Sequence, residues 1–308
     1  MKRTIVLILL LIPFLLSLFS CVLQDNEPLE TDPPPQETQE FQKTSESQET
    51  QKPQETTPPP QLIITPEEDM TAILHAGGEL DGICLLNCQE AFYVYYEQGG
   101  RYFEYDFKLS SDGKLIATHS WEHFGDGCYD DISYDEFIAL TLEGGYTPVN
   151  EEWLVKILRE YPDVTIIIDA KMETTLLDAE VIKRVAALED IYSIDLSDRI
   201  IPEVFSTEMW EAIKNETSFN KYLFSHYKVY YSIDKIVENF PTDRFVGIAI
   251  PYSYLDNYYK RNIAYLQSIG YDIYMFGINN AEDVDGARTI GADTVYVDNI
   301  NMMPLPKE

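Results

Sequence analysis

The sequence predicts an α/β chain folded as a (β/α)8 TIM barrel, preceded by a signal peptide and a disordered linker. Three observations carry that expectation. From Thr65 to Glu308, eight short runs of β-branched or aromatic residues alternate with amphipathic stretches. The span matches the roughly 250 residues that eight strand-helix units require. A doubly wound open sheet, the other arrangement of such units, more often shows a Gly-rich phosphate turn after its first strand, and Ala76-Gly77-Gly78 is too short a match.

The elements follow in order. Residues 1–20 carry Lys2 and Arg3 and then an apolar run from Thr4 to Phe19, too short for a membrane span and typical of an export signal. The segment Leu18-Phe19-Ser20-Cys21 resembles the cleavage box of bacterial lipoproteins, which implies lipidation of Cys21 and a chain anchored at the extracellular face of a bacterial cell membrane. An ordinary signal peptide or an uncleaved anchor is the alternative. Residues 21–64 turn to Pro, Gln, Glu and Thr, including Pro33-Pro34-Pro35 and Pro58-Pro59-Pro60, with no apolar period. Such a segment cannot bury enough surface to offset its ordering entropy, so it is expected to be an extended tether.

In residues 65–308 the predicted strands are Thr71–His75, Arg101–Phe107, Val164–Asp169, Arg199–Phe205, Tyr222–Tyr227, Phe245–Ile250, Asp272–Phe276 and Thr294–Val297. Helical patterns lie between most of them. Asn150 reads as an N-cap, with Glu151 and Glu152 in the first turn before Trp153–Tyr161.

Charge and cysteine content narrow the partners. Asp and Glu number 53 against 22 Lys and Arg, a formal charge of -31, so nucleic acid is not an expected partner. Four cysteines without a CxxC pair suggest neither a disulfide scaffold nor a thiolate zinc site, and a bound metal would need oxygen ligands. Cys84, Cys88 and Cys128 all fall near the predicted barrel mouth, and whether Cys128 pairs with one of the others is left open.

Chemistry concentrates at the carboxyl ends of the first strands. His75 ends the first. In the second, Glu104 and Asp106 share one face while Phe103, Tyr105 and Phe107 share the other, which places both carboxylates inside the barrel. A turn at Ser111-Asp112-Gly113 and a short run lead to His119, and Asp169 and Lys171 share a face at the end of the next strand. Neighbouring strands lie about 5 Å apart, so these six side chains should converge where barrel enzymes keep their sites. Three crowded carboxylates repel one another, and one would take up a proton unless compensated. A divalent cation, Mg2+ or Ca2+, together with Lys171 balances them and leaves room for water and a substrate phosphate. His75 and His119 then suit a general acid-base pair.

The series His75-Ala76-Gly77-Gly78, Asn87-Cys88-Gln89-Glu90-Ala91-Phe92, Gly99 to Asp106, Ser111-Asp112-Gly113 and His119 resembles the glycerophosphodiester phosphodiesterase motifs. Tyr274 to Asn280, Gly291-Ala292-Asp293 and Tyr296 to Asn299 are similar to that family's last two strands. The resemblance runs from about Thr71 to Asn301. It implies a metal-dependent barrel of the PI-PLC-like phosphodiesterase superfamily, with His75 and His119 as the catalytic pair and Glu104 and Asp106 as metal ligands. Two positions depart from the pattern: Ala76 stands where the family carries a phosphate-gripping arginine, and Leu86 where it carries a metal-binding glutamate. Three carboxylates with Asp169-Ala170-Lys171 look closer to the sphingomyelinase D branch, in which Lys171 would touch the phosphate or orient the ligands. The expected substrate is accordingly a glycerophosphodiester or a phospholipid head-group phosphodiester, reached from a lipid anchor.

Other residues are expected around the site. Glu203 is expected at the rim or on substrate, His226 facing the mouth, and Tyr252 in a loop whose rings could stack on a polyol. Asp298 and Asn299 are expected to brace the barrel. A catalytically inactive binding module is the competing reading, suggested by Ala76 and Leu86. A glycosidase would need a second carboxylate near Gly277-Ile278-Asn279, and there is none.

Overall fold

A computed structural model describes residues 70–125, 127, 129, 131–254 and 257–303. Its strands are β1 (Thr71–Leu74), β2 (Tyr102–Leu109), β3 (Leu115–Ala117), β4 (Thr165–Ala170), β5 (Ile200–Val204), β6 (Tyr222–Ser225), β7 (Phe245–Pro251), β8 (Asp272–Ile278) and β9 (Thr294–Val297). The helices are α1 (Gln89–Glu97), α2 (Tyr134–Phe137), α3 (Glu151–Glu160), α4 (Thr175–Tyr192), α5 (Thr207–Ile213), α6 (Ile233–Asn239), α7 (Asn257–Ser268) and α8 (Ala281–Thr289). All eight expected strands are present.

Eight strands pair in parallel in the order β1-β2-β4-β5-β6-β7-β8-β9, and β9 returns to β1 to close the (β/α)8 barrel. Closure leaves the ring no free edge. The additional strand, β3, runs antiparallel to β2, with Phe107 opposite Ala117 and Leu109 opposite Leu115. The turn between them is held by Asp112, which accepts from the Ser110 hydroxyl at 2.8 Å, and by Gly113 N–H donating to the Ser110 carbonyl at 2.9 Å. This hairpin brings His119 back over the barrel mouth.

Alternation along the strands sorts the core into two layers. Ile73, Ile167, Leu223, Ala249 and Tyr296 fill the barrel interior. Phe103, Tyr105, Phe107, Ile166 and Ile168 point outward and pack beneath the helices, Phe103 against Phe92 of α1 and Tyr105 against Trp153 of α3. Because the period is two, the same alternation turns Glu104, Asp106 and Asp169 inward.

Helices after β4, β5, β6 and β8 start on side-chain caps at the carboxyl face of the barrel. Thr174, Ser206, Ser232 and Asn280 each accept a backbone N–H of the first turn, and Asn150 caps α3 in the same way. Among the described residues no helix is long and apolar enough to cross a membrane. The expected export signal, the lipidation site at Cys21, the tether and Cys128 all lie outside the described residues.

Candidate active site

Strand register assembles the site. Asp106 of β2 lies opposite Asp169 of β4, and Leu74 of β1 pairs with both Phe103 and Val297. The next residue on each of those strands is therefore His75, Glu104 or Asp298. Ladder hydrogen bonds continue past the strand ends: Lys171 N–H donates to the Phe107 carbonyl and Thr118 N–H to the Asp106 carbonyl. Lys171 and His119 are thereby fixed at the same height.

Glu104, Asp106 and Asp169 offer oxygens that all lie within 4.8 Å of one another, and all three residues are buried. One oxygen of each β2 carboxylate is already committed. Glu104 Oε2 accepts the Ala76 N–H at 2.8 Å, and Asp106 Oδ2 accepts the Asn87 Nδ2–H at 2.8 Å. The other oxygen, Glu104 Oε1 or Asp106 Oδ1, is buried with no hydrogen-bond donor. Lys171 Nζ lies 2.6 Å from Asp169 Oδ2 and 3.2 Å from Asp106 Oδ1, the latter an ion pair without hydrogen-bond alignment.

One ammonium does not compensate three buried carboxylates, and the pKa shifts of the group follow from this. Burial first, then Asp106 and Asp169, push Glu104 well above the usual carboxylate range. Burial pushes Asp169 up as well. Asp106 is held low despite its burial because Lys171, His75 and His119 lie around it. Burial opposes the Lys171 ammonium, yet Asp169 and Asp106 outweigh it and raise its pKa. Two orphaned hard oxygens, with a carboxylate oxygen of Asp169 in the same cluster, fit a divalent cation, and Glu104, Asp106 and Asp169 are the residues that would hold it.

The two histidines sit in different surroundings. His75 Nδ1 is 3.0 Å from Asp298 Oδ1; burial alone would lower its pKa, but Asp298 and then Asp106 raise it. His119 Nδ1 is buried without a partner, and burial lowers its pKa although Asp106 opposes the shift.

The loop after β1 is shaped to aim His75. Ala76, Gly77 and Gly78 have φ of 47°, 82° and 100°, and a Cβ on Gly77 would come within 2.7 Å of the Tyr105 ring. Ala76 is fully buried and contributes its backbone N–H; Leu86 belongs to the apolar core. Asn87, with φ of 51°, also accepts the Asp106 N–H at 2.9 Å, so one side chain fixes both the strand and its carboxylate.

Three expectations are corrected. His226 does not face the mouth: Tyr231 N–H donates to Nε2 at 2.8 Å, Tyr259 Oη engages Nδ1, and burial drops its pKa to about 4. Tyr252 turns outward and lines a surface hollow with Lys260, Gly286, Thr289 and Ile290, its hydroxyl against Gly286 of α8. A Cβ at Gly286 would come within 2.2 Å of that hydroxyl and force the ring to shift. Glu203 is inside the barrel rather than at the rim, bonded by Tyr296 Oη at 2.7 Å and also by Ser225, and burial with Asp169 raises its pKa to about 7. In addition, Asp298 does more than brace the barrel, since it holds His75.

Asn87 and Tyr227 were given no role by the sequence. Tyr227 follows β6 and places its hydroxyl 3.2 Å from Lys171 Nζ. Cys84 and Cys88 carry free thiols, and burial followed by the nearby Asp298 pushes Cys84 to about 12.

The glycerophosphoryl diester phosphodiesterase family model matches residues 86–302. The chain belongs to that family. It is a phosphoric diester hydrolase by membership, and its acidic cluster is suited to the divalent-cation dependence general in the family. No curated protein sequence matches the chain. Several solved structures share the fold. A glycerophosphodiester phosphodiesterase from Parabacteroides distasonis has a TM-score of 0.62 at 16% identity, covering 75% of this chain and 94% of its own. The Thermotoga maritima glycerophosphodiester phosphodiesterase has a TM-score of 0.57 at 23% identity, with 75% and 95% covered. An Oleispira antarctica phosphodiesterase, solved with the product sn-glycerol-3-phosphate, has a TM-score of 0.60 at 17% identity, with 75% and 93% covered.

Proposed function

We propose that this family member is an exported, membrane-tethered phosphodiesterase that cleaves a glycerophosphodiester or phospholipid head-group ester with one Mg2+ or Ca2+ and a histidine pair. The observation that carries the reading is the meeting of Glu104, Asp106 and Asp169 within 4.8 Å, with orphaned oxygens and with His75 and His119 both sensing Asp106. A bound cation supplies Lewis-acid charge that offsets the carboxylates and the substrate phosphate. Lys171 adds a further positive charge beside them.

The protein's own groups handle the protons. Asp298 fixes the His75 ring through Nδ1, so Nε2 is the nitrogen left to take or give one proton of the reaction. His119 serves the other transfer. Attack by water gives simple hydrolysis, and attack by a substrate hydroxyl gives a cyclic phosphate; the same residues serve both. Replacing either histidine by alanine should cut turnover by several orders of magnitude with the melting curve preserved, and a variant near wild-type activity would remove it from the mechanism.

The tether is inferred from Lys2, Arg3, the apolar run, Cys21 and the Pro-rich segment. Strong negative charge disfavours adsorption of the domain to anionic lipid, so the anchor would supply proximity to the membrane. A phosphorus NMR screen of glycerophosphodiesters, phosphatidylinositol and lysophospholipids, with and without chelator, tests the assignment. Cleavage abolished by chelator is the expected result. No cleavage of any diester in the metal-loaded protein would favour the inactive binding module.

A further inference from the structure

The grip on the phosphate is incomplete in the residues considered so far. The backbone at Ala76 serves Glu104, its methyl is buried, and no long donor extends from that loop; Lys171 contacts the carboxylates directly, while Lys228 nearby is held by Asp178 and the Ala170 carbonyl. A second donor stands beside Lys171. The Tyr227 hydroxyl lies 3.2 Å from Lys171 Nζ and reaches Asp169 at 3.3 and 3.4 Å to its two oxygens. Ordinary O–H···O bonds are about 2.7 to 2.8 Å long, so that proton is shared weakly between two acceptors.

Its position, by contrast, is firm. The ring meets Phe205 edge-on at 5.2 Å and Phe276 at 5.9 Å, and Lys171 lies 5.2 Å from its centroid. The residue nevertheless remains 36% exposed, with its hydroxyl beside Lys171 and Asp169. A clamped aromatic ring carrying a loosely engaged O–H, next to an ammonium, is a preorganised pair of donors for one anionic group.

Resting on the phosphodiesterase reading above, we propose that Tyr227 is a substrate-binding residue whose hydroxyl, with Lys171 Nζ, grips a phosphate oxygen of the diester. On arrival of the phosphate the hydroxyl exchanges its long contact to Asp169 for a short one to the more exposed anion.

Tyr227→Phe tests this, because it deletes the hydroxyl and keeps the ring contacts. The wild type and the variant are titrated with inorganic phosphate by calorimetry in the presence of saturating Mg2+ or Ca2+, and KM and kcat are measured on the diester the wild type cleaves. Loss of a hydrogen bond to a charged group predicts phosphate affinity weakened about ten- to a hundredfold and KM raised comparably. Affinity for the metal ion and kcat should change by less than about threefold, well under one such bond. Tyr230→Phe, at an exposed tyrosine of the same loop, should behave as wild type. Unchanged phosphate affinity and KM in Tyr227→Phe, with an active wild type, would overturn the role of Tyr227 and leave the function standing. Weakened metal affinity with intact phosphate binding would overturn it too, by assigning the hydroxyl to Asp169. A metal-loaded wild type that neither binds phosphate nor cleaves any diester removes the function and this inference together. Should Tyr227→Phe melt early, Tyr227→Trp, which keeps a ring in the clamp without a phenol, replaces it under the same criteria.

Discussion

Asp298 changes what His75 can do. A carboxylate 3.0 Å from Nδ1 favours the imidazolium, and His119, with no such partner, favours the neutral ring. Replacing Asp298 by Asn removes a charge that raises the His75 pKa, so the limb of the pH–rate profile governed by His75 should move to lower pH. Movement of the acidic limb identifies His75 as the base; movement of the alkaline limb identifies it as the acid. A profile with both limbs unmoved would mean that Asp298 has no hold on catalysis. Asn87 acts on the ligand side: Asn87→Ala should weaken metal binding by about tenfold or more, since Asp106 loses two hydrogen bonds that orient it. Calorimetric titration with Mg2+ and Ca2+ measures this.

At the scale of elements, the short strand β3 decides where His119 stands, and a buried acid secures it. Glu151, at the start of α3, accepts the Leu115 N–H at 3.1 Å and holds Arg184 of α4 through two bonds of 2.6 and 2.8 Å. Three elements thus meet at one carboxylate that is only 1% exposed. Glu151→Ala strands the guanidinium and the amide, and should destabilise the fold by about 3 kcal/mol, the lower end for broken buried pairs because Arg184 is partly exposed. Urea unfolding would show it, and kcat should fall in parallel as the hairpin carrying His119 loosens. Full activity at wild-type stability would mean that the hairpin is held by its backbone bonds alone.

For the whole molecule, the acidic interior links stability to pH and metal. Glu203 has a folded pKa of about 7 against 4.5 ordinarily, and Glu104 is also raised. Through these two acids the folded state holds more protons than the unfolded chain, so their contribution to the stability of the metal-free protein should fall as pH rises from about 4.5 to 7, against the opposite contribution of His226, whose folded pKa is about 4. Saturating Mg2+ or Ca2+ should flatten the slope contributed by Glu104 and add about 2.7 kcal/mol at a hundredfold excess over Kd. Melting curves with and without chelator across that range test it; metal-independent curves would remove the cation from the fold's energetics. At the same scale, Cys21→Ala should move the full chain from the membrane fraction to the soluble one if the lipid anchor holds it.

Much of this was legible in one dimension because strand alternation is strictly local. The period of two that buries Phe103, Tyr105 and Phe107 beneath the helices forces Glu104 and Asp106 inward, and motif spacing then located His75, His119, Asp169 and Lys171. What escaped were partners brought together by closure of the barrel. Asp298 reaches His75 across 223 residues because β9 pairs with β1, and Tyr227 reaches Lys171 across 56 because the strand ends curve round one mouth. The directions of His226 and Tyr252 failed for the same reason: each leaves a strand end, where alternation stops and packing against Tyr231, Tyr259 or Gly286 takes over. Sequence by itself determined which polar residues gather at the barrel mouth and which face of each strand presents them. Only the closed tertiary structure decided which of them touch, because contact between distant residues is set by ring closure and register, quantities no local pattern encodes.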